Sequence, residues 1–212
     1  MALKLFTEEW KDAYVRERDA YTLMIHRGVK RCIPHVFYKG AMPRWKWDGE
    51  QPDDYNYVHR DELLYGLVMD YFEDCREIDM NMADLHLAEM LGETLKLIHE
   101  AGVVHRAIEE RNILLVRESG KTRIVWIDFS HAWAGQGYKG ALPLEWDMFR
   151  GFLMDTMVLL ACHVLRRTCQ DLRVINEDIL DKKFPRLPRE SERTPSIPGE
   201  IPQLIEIHVP AG

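Results

Sequence analysis

Two short apolar strands in the middle of the chain are flanked by side chains whose oxygens suit a metal ion. Asn112 precedes the strand at 113–116 and Asp128 follows the strand at 123–127, and Glu-Ser-Gly-Lys at 118–121 predicts a hairpin turn between them. A hairpin brings its two ends together, so we expect the amide and the carboxylate to lie close to each other. Amide and carboxylate oxygens are hard ligands of the kind that Mg²⁺ takes in proteins.

The elements that must position this hairpin follow from hydrophobic periodicity. Apolar residues recur every three or four positions in three stretches, which predicts helices, and short apolar runs predict strands. The predicted helices span residues 8–26, 82–100 and 144–168, and the further predicted strands span 2–6, 33–38 and 63–72. Residues 40–61 are expected to form a long surface loop, in which Trp45 and Trp47 are either a partner-binding edge or a local cluster.

The composition excludes several classes of protein. The chain has 212 residues and a net charge of −7, which suits one domain and disfavours nucleic-acid binding. It has no apolar run near the roughly 18 residues that span a membrane, and its four cysteines lack the spacing of a metal or redox motif. We therefore expect a cytoplasmic or otherwise intracellular protein without a nucleic-acid or membrane partner, whereas a nucleotide and a protein partner stay open.

The motifs within residues 97–130 resemble those of the protein kinase-like superfamily. His-Arg-Ala at 105–107, Asn112 after four intervening residues, and Asp-Phe-Ser at 128–130 correspond to the family's His-Arg-Asp, Asn and Asp-Phe-Gly. Three segments are similar to those of kinase-like proteins abundant in fungi: Gly-Val-Val-His, Glu-Arg-Asn and Ile-Asp-Phe-Ser-His-Ala. The resemblance implies an α+β, two-lobed kinase-like fold with a reduced N-lobe sheet and a mostly helical C-lobe.

The same resemblance divides the chain into three parts. Residues 1–72 correspond to a reduced N-lobe and hinge, and residues 73–170 to a helical C-lobe that includes the catalytic-loop hairpin. Residues 171–212 have no counterpart. Because this tail is rich in proline and charged residues, we expect it to be extended or disordered.

The resemblance also implies a nucleotide site. Lys4, in Ala-Leu-Lys-Leu, resembles the lysine that binds the phosphates, and Glu17 resembles the glutamate that pairs with it. Asn112 and Asp128 would hold Mg²⁺, so ATP and Mg²⁺ are the implied cofactors, bound weakly. The remaining nucleotide-binding positions lie at the hinge: Met69 as the gatekeeper, then Asp70, Tyr71 and Phe72, whose backbone would contact adenine.

Four further residues are implied to be structural. His105 would pack on Phe129, Arg106 would bond backbone carbonyls or an acidic partner, and Asp147 would hold the catalytic-loop backbone from the start of the third helix. The interval between Asp128 and Asp147 is short for a protein kinase. In this respect the chain resembles the aminoglycoside and choline phosphotransferases.

Two departures from the family bear on activity. Ala107 stands where the family has the catalytic aspartate that accepts the proton of the substrate hydroxyl. Glu109 and Glu110 are the candidate replacements, but they lie further along the loop. The second departure is that no Gly-rich phosphate-binding loop occurs in the sequence.

These departures leave three hypotheses for the function. The first is a catalytically impaired kinase-like protein, a pseudokinase, that retains ATP and Mg²⁺ binding. The second is an ATP-dependent phosphotransferase of low efficiency, acting on a protein or a small molecule. The third is an incomplete product of a longer kinase-like gene.

Overall fold

The computed structural model of the protein describes residues 1–42, 64–78, 85–135, 138–165 and 179–187. The predicted loop that carries Trp45 and Trp47 therefore lies outside the described residues from position 43 onward, and so does most of the tail.

The described residues combine helices and strands, which confirms the mixed α+β class. In chain order the elements are β1 (Ala2–Phe6), α1 (Lys11–His26), β2 (Val36–Met42), β3 (Leu64–Met69), β4 (Cys75–Glu77), α2 (Leu85–Glu100), β5 (Val103–Val104), β6 (Ile113–Glu118), β7 (Lys121–Trp126), β8 (Trp133–Ala134) and α3 (Leu142–Leu165).

The first sheet has the strand order β1-β3-β2, and neighbouring strands are antiparallel. β1 lies at one edge, where Lys4 pairs with Leu67 of the central strand. Successive side chains of a strand point to opposite faces. Phe6 is accordingly buried, whereas Leu3 and Leu5 are 54% and 46% exposed. Lys4 shares the face of Phe6 and is directed toward the interior.

Helix α1 presents one continuous face to this interior. The buried positions recur at three- and four-residue spacing, as in any helix that packs along one side; they are Ala13, Tyr14, Glu17, Ala20, Tyr21 and Met24. Glu17 is the only charged residue among them, and it is 1% exposed. A buried carboxylate needs a partner of opposite charge or several hydrogen bonds, and the site described below supplies that partner.

The second sheet, with the order β4-β6-β7, contains the hairpin that the sequence predicts. Its register pairs Glu118 with Lys121 at the turn and Ile113 with Trp126 at the open end. A separate two-stranded ladder joins β5 and β8, with Val103 opposite Ala134. These ladders fix the loop between β5 and β6 and the turn between β7 and β8, which are the two segments that carry the sequence motifs.

Helix α2 packs under the hairpin through the apolar face that the periodicity predicts. The buried hydrophobic residues of this face are Leu87, Ala88, Leu91, Leu95 and Ile98. Trp126 of β7 donates its indole N–H to Thr94 Oγ1 at 2.9 Å, so the helix and the hairpin are joined by a hydrogen bond as well as by apolar burial. Among the described residues, no helix is long and apolar enough to cross a membrane.

Two expectations about local structure differ from the structure. The second strand spans Val36–Met42 rather than residues 33–38. It starts later because Pro34 lacks an amide hydrogen for the ladder, and its end includes residues 40–42, which were expected to be loop. Residues 179–183 are helical rather than extended. Leu180 and Phe184 are buried, and the Phe184 ring packs edge-on against Phe149 with 5.8 Å between centroids. Apolar burial explains why this short piece of the predicted tail is ordered.

Candidate functional site: a lysine between two carboxylates

The centre of the candidate site is a lysine held between two carboxylates from distant parts of the chain. Lys4 Nζ donates to Glu17 Oε2 at 2.7 Å and to Asp128 Oδ1 at 2.8 Å. Lys4 lies in β1, Glu17 in the middle of α1, and Asp128 two residues after the end of β7. The pairing of Lys4 with Glu17 that the sequence suggests is therefore present, and Asp128 joins it. We call these three residues the charge cluster.

Burial and charge act in opposite directions on the ionisation of this cluster. Burial disfavours the charged form of Asp128, but hydrogen bonds from Lys4 and Ser130 outweigh it and lower the pKa of Asp128 to about 2. Burial also opposes the charge of Lys4, and the two carboxylates more than offset it, so the pKa of Lys4 is raised. Burial raises the pKa of Glu17 in spite of Lys4. With all three groups ionised, the cluster carries a net charge of −1.

The backbone at Asp128 is held in an unusual conformation. Its φ and ψ are 60° and 69°, the left-handed region that non-glycine residues rarely occupy. The Asp128 carboxylate accepts the Ser130 amide at 3.3 Å, and Arg16 of α1 donates to the Ser130 carbonyl at 2.6 Å. Strained residues of this kind persist where the surroundings over-determine them. Here α1 and the turn at 129–131 together fix the direction of the carboxylate.

Asn112 lies at the open end of the hairpin, next to the start of the turn that carries Asp128. Its carbonyl accepts the Ile127 amide at 2.9 Å, which joins the two ends of the hairpin. The Asn112 side chain donates from Nδ2 to the Ala107 carbonyl at 3.0 Å. Its Oδ1 accepts no hydrogen bond from the residues that the structure describes. Amide and carboxylate oxygens such as those of Asn112 and Asp128 are hard ligands of the kind that Mg²⁺ takes in proteins.

The loop that precedes Asn112 is fixed by a buried aromatic stack. The His105 ring lies 4.4 Å from the Phe129 ring and 5.5 Å from the Trp126 ring, and Phe129 in turn packs edge-on against Tyr21 of α1 at 5.1 Å. His105 Nε2 bonds the Ile127 carbonyl at 3.0 Å. Complete burial lowers the pKa of His105, so the ring is neutral and Nε2 is the donor. The predicted packing of His105 on Phe129 is present.

Arg106 also does what the sequence suggests, with one addition. It donates to the His131 carbonyl at 3.4 Å, and its guanidinium lies over the Trp133 ring at 4.0 Å from the centroid. Its own φ is +65°. A guanidinium over an indole face is a favourable cation–π arrangement, so Arg106 joins the loop to β8.

A buried glutamate, Glu145, holds the backbone of this loop. Glu145 is 2% exposed and accepts the His105 amide at 3.0 Å and the Arg106 amide. It also bonds His99 Nε2 of α2 at 2.6 Å. Glu145 lies in the first turn of α3, and Asp147 is two residues further, on a different side of the helix. The signal for Glu145 was present in the sequence, as an acidic residue in the first turn of an apolar helix.

The hinge positions are only partly available to a ligand. Met69 is 8% exposed at the end of the central strand and belongs to the hydrophobic core. The Asp70 amide already donates to the His35 carbonyl at 3.0 Å, and the Asp70 carboxylate accepts the His35 amide at 2.9 Å. Tyr71 and Phe72 line a cavity of about 320 Å³ together with residues that include Met1. A ligand at the hinge would therefore meet Tyr71 and Phe72 rather than the Asp70 amide.

Neither candidate replacement for the missing aspartate is joined to the charge cluster. Glu109 pairs with Arg111 at 2.6 Å, and its side chain is 49% exposed. Glu110 has a buried carboxylate oxygen with no hydrogen-bond partner among the described residues. The site therefore has charged and amide groups that suit phosphates and a cation. Neither Glu109 nor Glu110 is hydrogen-bonded to the charge cluster as a replacement for a carboxylate at position 107.

Histidine, cysteine and carboxylate side chains form no group of three that could hold a metal in the described part of the chain. Asn112 and Asp128 alone would thus depend on a phosphorylated ligand to complete the coordination of a cation. Comparison of the chain with models of protein families and with characterised proteins finds no match. The resemblance to the protein kinase-like superfamily therefore rests on the sequence motifs.

Proposed function

We propose that the protein is a kinase-like, two-lobed nucleotide-binding protein that binds ATP with Mg²⁺ and is catalytically impaired. The observation that carries the proposal is the charge cluster. Lys4 meets Glu17 and Asp128 across 13 and 124 positions of sequence, and these are the positions that the resemblance assigns to nucleotide binding. A chance sequence resemblance would give no reason for the three side chains to converge.

The chemistry of the cluster suits a triphosphate. Glu17 is buried and keeps Lys4 extended toward Asp128, so the ammonium lies beside the carboxylate that would hold the cation. Positively charged donors fixed near phosphate oxygens orient the ligand and stabilise its charge. Asn112 would contribute the second protein oxygen. Tyr71 and Phe72 line the cavity beside the hinge, where the base would lie.

The impairment follows from Ala107. An alanine cannot accept the proton of a substrate hydroxyl, and a positioned base contributes about 10²–10⁴-fold to the rate. The backbone around position 107 is nonetheless well held, because Asn112 bonds the Ala107 carbonyl and Glu145 bonds the two preceding amides. The loop therefore supports a binding site in which the reactive side chain is missing.

Thermal unfolding with ATP and Mg²⁺ together, and with each alone, tests the binding. At 100 times the Kd a ligand stabilises the folded state by about 2.7 kcal/mol, which raises Tm by about 5–10 °C in a protein of this size. We expect the shift for wild type and for Lys121→Met, an exposed lysine at the hairpin turn, and none for Lys4→Met. An unchanged Tm at millimolar ATP with Mg²⁺ would exclude the proposal.

A second candidate function is slow phosphotransfer, and the intact charge cluster favours it. Positioning and electrostatic stabilisation account for most of phosphoryl-transfer catalysis, so a cluster that orients the phosphates supports some turnover without a base. Measuring ADP formation by wild type and by Asp128→Asn separates the two candidates. Turnover that depends on Asp128 would support the phosphotransferase, and equal rates in both samples would support a binding protein.

A further inference from the structure

A groove of about 420 Å³ lies where helices α1 and α2 end. It is lined by the loop at residues 27–31 and by three residues at the end of α2, namely Leu97, Glu100 and Ala101. None of these belongs to the charge cluster or to the hinge. We call this cavity the basic groove.

The basic groove concentrates positive charge on an acidic protein. Arg27, Lys30 and Arg31 are exposed, and their side chains make no ion pair or hydrogen bond with the described residues. Glu100 is the one acidic residue of the lining, and its carboxylate lies 3.8 Å from the ammonium of Lys96, which is outside the groove. Because the whole chain carries −7, three adjacent cations without partners form a local field that attracts anions.

The loop that presents these cations is held in place by its backbone. Gly28 N bonds the Ile25 carbonyl at 3.1 Å and Val29 N bonds the Met24 carbonyl at 2.9 Å. At the other end of the loop, Arg123 donates to the Arg31 carbonyl at 2.8 Å. A loop that is already ordered loses little conformational freedom when a ligand binds. The backbone that carries the three cations is therefore already ordered before a partner binds.

The floor of the basic groove is apolar. Leu97 is 45% exposed, whereas Val29 and Ala101 are buried beneath the surface. Gly28 has a φ of +83°, and nothing lies within 4 Å of the position that a Cβ would occupy there. The groove thus offers an open apolar strip bordered by cations. A small inorganic anion would use the cations but not the strip, whereas a peptide uses both.

We propose that the basic groove binds an acidic peptide segment of a partner protein, with an apolar side chain between carboxylates. The carboxylates pair with Arg27, Lys30 and Arg31, and the apolar side chain packs on Leu97. This surface is independent of the nucleotide site, so its occupancy does not rest on the function proposed above.

Fluorescence anisotropy with the full chain tests the inference. The probe is a fluorescein-labelled peptide in which one leucine is flanked on both sides by three glutamates, and the reference probe has glutamine in place of each glutamate. We expect saturable binding of the acidic probe only. Exposed ion pairs are each worth a modest factor, so Lys30→Gln with Arg31→Gln should weaken binding about threefold to thirtyfold.

Two matched controls make the test specific. Arg76→Gln with Lys121→Gln removes the same charge from exposed positions elsewhere, and Leu144→Gln matches Leu97→Gln as an exposed leucine on a helix. The inference predicts that both controls retain wild-type affinity and that Leu97→Gln weakens binding. Equal losses in the control variants, no binding of the acidic probe, or equal affinity for a single-stranded oligonucleotide that also depends on Lys30 and Arg31 would overturn it.

Discussion

The charge cluster and the loop at residues 105–112 are two halves of one candidate site, and they differ in what they retain. In the cluster, Lys4, Glu17 and Asp128 are all present and bonded at 2.7 and 2.8 Å. In the loop, the supporting contacts are present but position 107 carries only a methyl group. The comparison shows that the framework of a site and its reactive group are separable, because the framework contributes to folding and the reactive group does not.

The largest expected effect concerns the framework of the loop. Glu145→Ala leaves two amides and His99 without their buried acceptor. Breaking a buried polar pair costs about 3–5 kcal/mol, and we expect a loss of that size in urea unfolding. Glu93→Ala, at an exposed glutamate of α2, is the matched control, with an expected change within about 0.5 kcal/mol. Equal losses in the two variants would mean that Glu145 has no special role in holding the loop.

The next effect concerns the cluster. Glu17→Gln removes the buried charge that keeps Lys4 extended, so the affinity for ATP with Mg²⁺ should fall about tenfold, which is the weight of one hydrogen bond to a charged group. Titration calorimetry measures this affinity. Glu9→Gln, at an exposed position before α1, should leave it unchanged. An unchanged affinity in Glu17→Gln would show that the cluster does not position the nucleotide.

A carboxylate introduced at position 107 should make the loop as complete as the charge cluster. Ala107→Asp places an acid on a backbone that Asn112 and Glu145 already hold, and we expect ATP-dependent phosphotransfer to rise by about 10²-fold. Turnover of ATP to ADP, measured by a coupled assay, checks this rise. Ala107→Asn is the control, since it has nearly the same shape but cannot accept a proton. A gain of the same size in Ala107→Asn would contradict the role assigned to position 107.

The last expected effect is a decrease in the free energy of unfolding as the pH becomes acidic. The pKa of Asp128 is about 2 in the folded protein and near its ordinary value of 3.8 when unfolded. A lowered carboxyl pKa contributes stability that is present above about pH 4 and is lost as the pH falls toward 2. Urea unfolding between pH 5 and pH 2 should therefore show a steeper decline for wild type than for Asp128→Asn. Identical declines would show that Asp128 is not stabilised as a carboxylate.

Glu17 acts in the opposite direction within the same cluster. Burial raises its pKa in the folded state, so the folded protein binds this proton more tightly than the unfolded chain does. Its contribution to stability consequently decreases as the pH rises through the range between the ordinary value of 4.5 and the raised one. Above pH 4.5, urea unfolding of wild type should accordingly show a free energy of unfolding that rises as the pH falls, and Glu17→Gln should lack this rise.

Local pattern predicted most elements of this fold. The alternation of β1, the helical spacing of α1 and α2, and the turn residues at 118–121 are all signals that a short window contains. β2 starts later than predicted because Pro34 has no amide hydrogen to donate to the ladder. The burial of Leu180 and Phe184 was not predicted, because it depends on Trp146 and Phe149, which a proline-rich local window does not reveal.

The candidate site was predictable where a motif marks it and not elsewhere. Asn112 and Asp128 follow from the hairpin, and Lys4 and Glu17 from the resemblance. Glu145 was not predicted, since two acids lie within three positions and only the direction of α3 shows that Glu145 faces the loop. The use of the Asp70 amide by His35 depends on a contact across 35 positions, for which the sequence carries no signal.

Equilibrium dialysis against ATP labelled in both the adenine and the γ-phosphate, with Mg²⁺ present, tests the central claim most directly. It measures binding and the integrity of the bound ligand in one sample. We predict one ATP per protein chain in the protein chamber, with the two labels in the ratio of the starting ATP after hours. No excess label in that chamber, or rapid separation of the γ-phosphate label from adenine, would contradict a protein that binds ATP without transferring its phosphate.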